Sequence, residues 1–316
     1  MSTTPLVSIK CTVYNHEPFL RQCIEGFLMQ KTNFSYEIII HDDASTDCSA
    51  EIIREYAERY PDIIKPIFEA ENQYCKRDGS IQRIMNEAID PAVKYIALCE
   101  GDDYWTDSNK LQKQVDFLEN HPQFFVCSHN FSIFHHSNAQ LETHIIDAPY
   151  QDIDGFQVYI YNQTNYFKIW AASTLSVVYR NLNYLDNYYL DKGLWDFTNR
   201  YLMMLIGDGA LLKDSMATYR IHENGIYSGK TKEKRYDEEL RQLYLLYDKE
   251  KQDIIIEDAI NPRITAYLPF LRHNKCYSKI ISTMQDYYKN IPIGKQLGLY
   301  YKLVKIFLSS KKSLNL

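Results

Sequence analysis

Apolar Val7, Ile9, Cys11 and Val13 alternate with Ser8, Lys10 and Thr12, a period of two that predicts a strand ending near Tyr14-Asn15. Pro18 suits a first helical turn, and Phe19, Leu20, Cys23, Phe27 and Leu28 recur at helical spacing up to the polar run Gln30 to Asn33. The continuous run Ile38-Ile39-Ile40 is typical of a strand covered on both faces, and it delivers Asp42-Asp43 at its end. Ser45, Thr46 and Asp47 supply turn and capping chemistry for a helix through Ile52, Ile53, Tyr56, Ala57 and Tyr60, stopped by Pro61. A strand over 63–68, a helix over 81–89 and a strand over 95–99 follow, the last leading into Glu100-Gly101-Asp102-Asp103. This alternation predicts a doubly wound α/β domain.

Beyond it, Leu111, Val115 and Leu118 mark a helix and 124–134 a strand, whereas 138–167 has no sustained period. Strands over 173–179 and 217–221 and a helix over 195–206 are expected before the chain turns charged and helical from about Glu233. We therefore expect a catalytic domain over 1–230 and a helical accessory region over 231–316. Its tail, 287–316, carries six Lys and no acid among Leu, Ile, Tyr and Phe. Such a segment suits peripheral contact with an anionic membrane face, and equally a homodimer contact or a helix docked on the protein's own body.

With 316 residues, 45% hydrophobic and 24% charged, the chain can bury a full-sized core. Lys and Arg total 35 against 41 Asp and Glu, a net charge of −6, so no global positive field favours nucleic acid as a partner. Seven Cys form no CxxC pair, which points away from a disulfide framework or zinc site and towards a reducing, cytoplasmic compartment. Neither a signal segment nor a run of roughly 18 uncharged residues is evident. The 27 Tyr supply rings suited to sugar-facing surfaces, but Tyr, Asn, Lys and Ile rise together in AT-rich coding sequences, so the count carries little weight.

Candidate chemistry concentrates at two predicted strand ends, Asp42-Asp43 and Glu100 to Asp103, where open α/β sheets hold their ligands. Hard carboxylate oxygens there suit Mg²⁺ or Mn²⁺, whose remaining partners are usually phosphates and water. One acidic pair alone reads more readily as a cap or solvated turn; two on one sheet edge favour a site. The first turn, Thr12 to Pro18, has no glycine to cradle a pyrophosphate, which argues against a dinucleotide oxidoreductase or P-loop kinase. No HExxH, GxSxG or nucleophile-spaced Cys/His pair supports a hydrolase.

Val7 to Asn15, Ile38 to Asp47 and Ala97 to Trp105, in that order and spacing, resemble the family 2 glycosyltransferases of GT-A fold. The resemblance covers residues 5–225 and implies a Rossmann-like mixed sheet flanked by helices, and an inverting transfer from a nucleotide-sugar, UDP-linked by expectation. The acceptor it implies is a glycan or lipid-linked molecule in cell-surface polysaccharide or lipopolysaccharide synthesis, at the inner membrane face. By that resemblance Thr12, Tyr14, Asn15, Asp43, Arg83 and Asp102 face the nucleotide, Asp103 and His222 the metal (Mn²⁺ or Mg²⁺), and Arg220 the diphosphate. Asp196 takes the place of the general base. Glu100 replaces the usual first Asp of the acidic motif, and Trp195 stands where the family has Glu. The competing readings are a non-catalytic sugar-nucleotide or glycan-binding subunit and a nucleotidyltransferase, which would want a Gly- and Arg/Lys-rich first loop. Trp170 and Trp105 suit either a sugar pocket or packing.

Overall fold

Every strand expected in the first hundred residues forms, and their order brings the two acidic clusters to one edge. The computed structural model describes residues 4–181, 196–225, 229–250, 254–274 and 276–290. Strands β1 (Val7–Val13), β2 (Tyr36–Asp42), β3 (Ile64–Phe68) and β4 (Tyr95–Glu100) run parallel as β3-β2-β1-β4. They are joined by α1 (Glu17–Leu28), α2 (Ser49–Arg59) and α3 (Ser80–Glu87). The register sets Thr12 beside His41 on one side and Glu100 on the other, so β1, β2 and β4 end at one level.

The sheet continues through β5 (Tyr104–Trp105), β6 (Phe124–His135), β7 (Gln140–His144), β8 (Gln151–Ile153), β9 (Phe156–Tyr161), β10 (Val178–Arg180) and β11 (Asp208–Ile221), with α4 (Lys110–Asn120) and α5 (Asp196–Met203) along the chain. Among the described residues eleven strands form one mixed sheet, ordered β3-β2-β1-β4-β10-β6-β11-β9-β8, with β5 on β11 and β7 on β6. Antiparallel β10 between β4 and β6 converts the doubly wound half into the expected mixed sheet.

The differences from the expectation have local causes. β7 and β8 are exposed along nearly their whole length, and β9 buries only Val158 and Tyr161, three residues apart, so no period of two is imprinted on 138–167. Of the strand expected over 173–179 only Val178 and Tyr179 pair in the sheet, as part of β10; Thr174–Ser176 is a tight helical turn. β11 begins nine residues earlier than expected, at Asp208 against 217, because register shifts around Ser215 interrupt its alternation.

The core runs through Val7, Ile9, Phe27, Ile38, Tyr95, Leu111, Leu118, Phe131 and Leu212. All seven cysteines are free thiols. The chain divides into two compact units, Met1–Glu223 and Asn224–Leu316, a boundary seven residues before the expected 230. The second contains α6 (Lys232–Lys249), α7 (Ile254–His273) and α8 (Tyr277–Asn290). Thr231 caps α6 by accepting the Lys234 N–H (3.3 Å), and Tyr236 stacks on Tyr267 at 4.8 Å. Among the described residues no helix is long and apolar enough to cross a membrane. The tail from 291 onward lies outside the described residues.

Candidate active site

β4 ends in a turn whose carboxylates converge. One oxygen of each of Glu100, Asp102 and Asp103 lies within 4.8 Å of the others, a grouping of three carboxylates that could hold a cation. Asp103 is 1% exposed; its Oδ1 accepts the main-chain N–H of Arg220 at 2.8 Å, while Oδ2 is buried with no hydrogen-bond partner. Burial, with Asp102 and Glu100 beside it, pushes the Asp103 carboxyl well above the usual range. A divalent ion would satisfy the orphaned oxygen and restore the charge, so the donor set fits Mg²⁺ or Mn²⁺.

Asp102 differs. Burial opposes its charge, but His222 Nε2 at 3.0 Å and His16 Nε2 at 3.7 Å face its Oδ2 and hold its carboxyl below the usual range. Burial lowers the His16 pKa. His16 was not singled out from the sequence; the signal available was an imidazole in the turn after β1, where a phosphate-binding fold would place glycine. Gly101 is required by this packing, since a Cβ there would meet Val13 Cγ2 at 2.8 Å and His16 Nδ1 at 2.9 Å.

Arg220 fastens the turn to the sheet. Its Nη1 donates to the Asp102 carbonyl at 2.6 Å and its Nη2 to Gln22 Oε1, while its guanidinium lies over the rings of Tyr104 (4.4 Å) and Phe19 (5.2 Å). The side chain expected to face diphosphate is thus bonded to the acidic turn through the Asp102 carbonyl. Gln22, Phe19 and Tyr104 were also missed, because their spacing reads as ordinary helix and strand packing.

On the β1–β2 side, Asn15 takes a left-handed backbone (φ 56), and its Oδ1 accepts the Thr46 N–H at 2.7 Å. The N–H groups of Asn15, His16 and Glu17 are bound by Ser45 Oγ, Ser49 Oγ and Asp47 Oδ2 at 2.9, 3.0 and 3.0 Å. These amides are therefore committed to the neighbouring turn, consistent with the missing glycines. Asp43 is buried, and its two oxygens accept the N–H groups of Gln73 (2.6 Å) and Tyr74 (3.0 Å). Tyr14, next in the chain to Val13 whose carbonyl accepts the Asp43 N–H at 2.9 Å, is 44% exposed. Thr12 accepts the Gly101 N–H at 2.9 Å through its carbonyl. Arg83 sits on α3, where Nη1 donates to the Asp78 carbonyl at 2.5 Å.

The structure thus gathers Glu100, Asp102, Asp103, Arg220 and His222, and places Asn15 and Asp43 in turns tied to β1. Asp196 opens α5, with its side chain outside the described residues, as is Trp195.

The mixed α/β sheet, with its acidic cluster at the carboxyl edge, has the GT-A fold of its glycosyltransferase structural neighbours. The family model for glycosyl transferase family 2 matches residues 8–200, and the chain belongs to that family. It is 34% identical over 224 residues to an uncharacterised protein of Mycobacterium tuberculosis, covering 70% of this chain and 60% of that relative's length. Over 127 residues it is 35% identical to the Escherichia coli UDP-Glc:alpha-D-GlcNAc-diphosphoundecaprenol beta-1,3-glucosyltransferase WfaP, covering 40% and 46% of the two chains. The fold is similar to that of a Pyrobaculum calidifontis mannosyltransferase solved with GDP-Man and Mn²⁺, at TM-score 0.54 and 15% identity over 96% of this chain and 86% of that one.

Proposed function

We propose that the protein is a metal-dependent, inverting glycosyltransferase that moves a sugar from a UDP-sugar to a glycan or lipid-linked acceptor in cell-surface polysaccharide synthesis. It works at the inner membrane face, with residues 1–230 as catalytic domain and 231–316 as accessory region. The observation that carries the reading is the buried, unpartnered Oδ2 of Asp103 beside Glu100 and Asp102. Glu100, Asp102 and Asp103 would hold Mn²⁺ or Mg²⁺, which when bound offsets the charge of a diphosphate leaving group. His222 orients Asp102 through the 3.0 Å contact, and Arg220 fixes the turn so that the carboxylates need not reorganise. Tyr14 offers a stacking face for the base. The Asp43 carboxylate keeps lone pairs beyond the two that bind main-chain N–H groups, so it can accept the imide N–H of uracil. The UDP-sugar assignment is supported by this chemistry and by the donor named for the Escherichia coli relative.

In this reading Asp196 accepts the proton of the acceptor hydroxyl as that oxygen attacks the anomeric carbon and the nucleoside diphosphate departs from the opposite face. One base and one displacement give inversion. The test is calorimetric titration of UDP, GDP and dTDP with and without Mn²⁺ on the wild type, Asp103→Ala and Asp196→Asn. Metal-dependent UDP binding that is lost in Asp103→Ala and kept in Asp196→Asn supports the assignment. Transfer by Asp196→Asn at the wild-type rate would remove the base, and absence of all nucleotide binding would remove the donor site.

A further inference from the structure

One aromatic side chain is packed against other rings and yet left open. Trp170 is 46% exposed, although its indole meets Phe131 at 5.2 Å and 80°, Tyr219 at 6.0 Å and 81°, and His144 at 6.2 Å. Two near-perpendicular ring contacts fix its plane, so a ligand stacking on it would lose little side-chain freedom to do so. Tyr219 immediately precedes Arg220 on β11, and the Arg220 main-chain N–H binds Asp103.

The segment carrying Trp170 is also tied to α5. Arg200 Nη1 donates to the Ala172 carbonyl and Nη2 to Thr174 Oγ1, both at 2.8 Å, and Ser128 Oγ donates to the Ala171 carbonyl at 2.6 Å. Ahead of Trp170, Phe167 stacks on Tyr201 of α5 at 4.8 Å. The helix that Asp196 opens therefore holds the backbone on both sides of the indole.

We infer that Trp170 is the stacking platform for a pyranose ring of the acceptor, with His144 at its edge as a hydrogen-bonding group for a sugar hydroxyl. This rests on the glycosyltransferase reading and adds the acceptor side to it. A hexopyranose whose axial hydrogens form an apolar face, as in gluco or galacto configuration, fits an exposed indole by size and polarity; a nucleotide base is served elsewhere, by Tyr14. The contacts of Arg200 and Tyr201 with Ala172, Thr174 and Phe167 tie the segment carrying the indole to α5.

The test uses the full chain and titrates methyl β-D-glucopyranoside and methyl β-D-galactopyranoside, followed by saturation-transfer NMR, with and without UDP and Mg²⁺. The wild type should show transfer to the ring CH protons of at least one glycoside. Trp170→Ala should weaken that binding about tenfold and Trp170→Phe less, while UDP affinity in both stays within about twofold of wild type. Equal glycoside affinity in wild type and Trp170→Ala, or no binding of either glycoside to the wild type, overturns the platform. Loss of UDP binding by the wild type faults the transferase reading instead, and the titrations without UDP still judge the platform.

Discussion

The main-chain N–H of Arg220 donates to Oδ1 of Asp103 across 2.8 Å, so the two oxygens of one buried carboxylate have different duties. Oδ1 anchors the acidic turn to β11, and Oδ2 is buried without a hydrogen-bond partner, which is the ligand atom of the proposed cation site.

That division predicts the behaviour of Asp103→Asn. The amide keeps an oxygen to accept the Arg220 N–H but presents an NH₂ where Oδ2 was, so the fold should persist while cation ligation fails. Thermal unfolding of the metal-free protein should stay at or above the wild-type midpoint, because a buried acid crowded by two others is replaced by a neutral group. Metal-dependent UDP affinity should fall at least about tenfold, a loss of ~1.4 kcal/mol or more. Undiminished Mn²⁺-dependent binding by calorimetry would show that Asp103 is not a ligand.

Arg220→Lys separates charge from shape. A lysine keeps the positive charge and the main-chain bond to Asp103, but cannot span the Asp102 carbonyl and Gln22 while lying against Tyr104 and Phe19. Urea unfolding should show destabilisation of about 1–3 kcal/mol, the usual cost of charge-assisted hydrogen bonds lost in a buried setting. Stability equal to wild type would mean that charge alone holds the turn.

Lys110 offers a pH test away from the acidic cluster. Its amine is fully buried, donates to Gln114 Oε1 at 2.8 Å and lies 3.9 Å from the Trp105 ring centroid, and burial pushes its pKa down to about 7. Between that value and the ordinary 10.5 the unfolded chain binds a proton that the folded one does not. Stability therefore rises with pH across this window, and below about 7 the folded protein bears the full cost of a buried cation. This group should contribute a slope of up to ~1.4 kcal/mol per pH unit. Urea denaturation at pH 7, 8 and 9, followed by fluorescence, should show the slope in the difference between wild type and Lys110→Met. Parallel profiles would place the ammonium, still charged, in the core.

The site was legible where strand ends carry it. Asp42-Asp43 and Glu100 to Asp103 follow runs buried enough to be read as strands, and the topology then joins them without further information. His16 and Gln22 were hidden because their positions depend on how α1 docks against the acidic turn, a long-range contact with no periodic trace. β7 and β8 escaped because both faces meet solvent, and β5 because two residues cannot show a period. The inserted turn at Thr174–Ser176 had the composition of a strand; its geometry comes from the Ser173 carbonyl, which accepts the Ser176 N–H (2.9 Å) and Oγ–H (2.7 Å).

Two glycines separate site geometry from fold stability. At Gly101 a methyl group would press on Val13 Cγ2 at 2.8 Å, His16 Nδ1 at 2.9 Å and Leu20 Cδ1 at 3.3 Å, all side-chain atoms that can yield by displacing the turn. Gly101→Ala should therefore cost about 1–3 kcal/mol of stability and move Asp102 relative to His16, lowering metal-dependent UDP affinity further than the stability loss explains. At Gly209 a Cβ would fall 2.1 Å from the Tyr161 ring, which is fully buried and cannot swing away, so Gly209→Ala should be the more destabilising change. Gly209 lies towards the start of β11, opposite Tyr161 and Val126, so whatever folded Gly209→Ala protein is recovered should bind UDP as wild type does. Calorimetry and urea unfolding on both variants check the contrast. If Gly101→Ala keeps wild-type UDP affinity while Gly209→Ala loses it, the acidic turn does not depend on the close packing of Gly101 against His16.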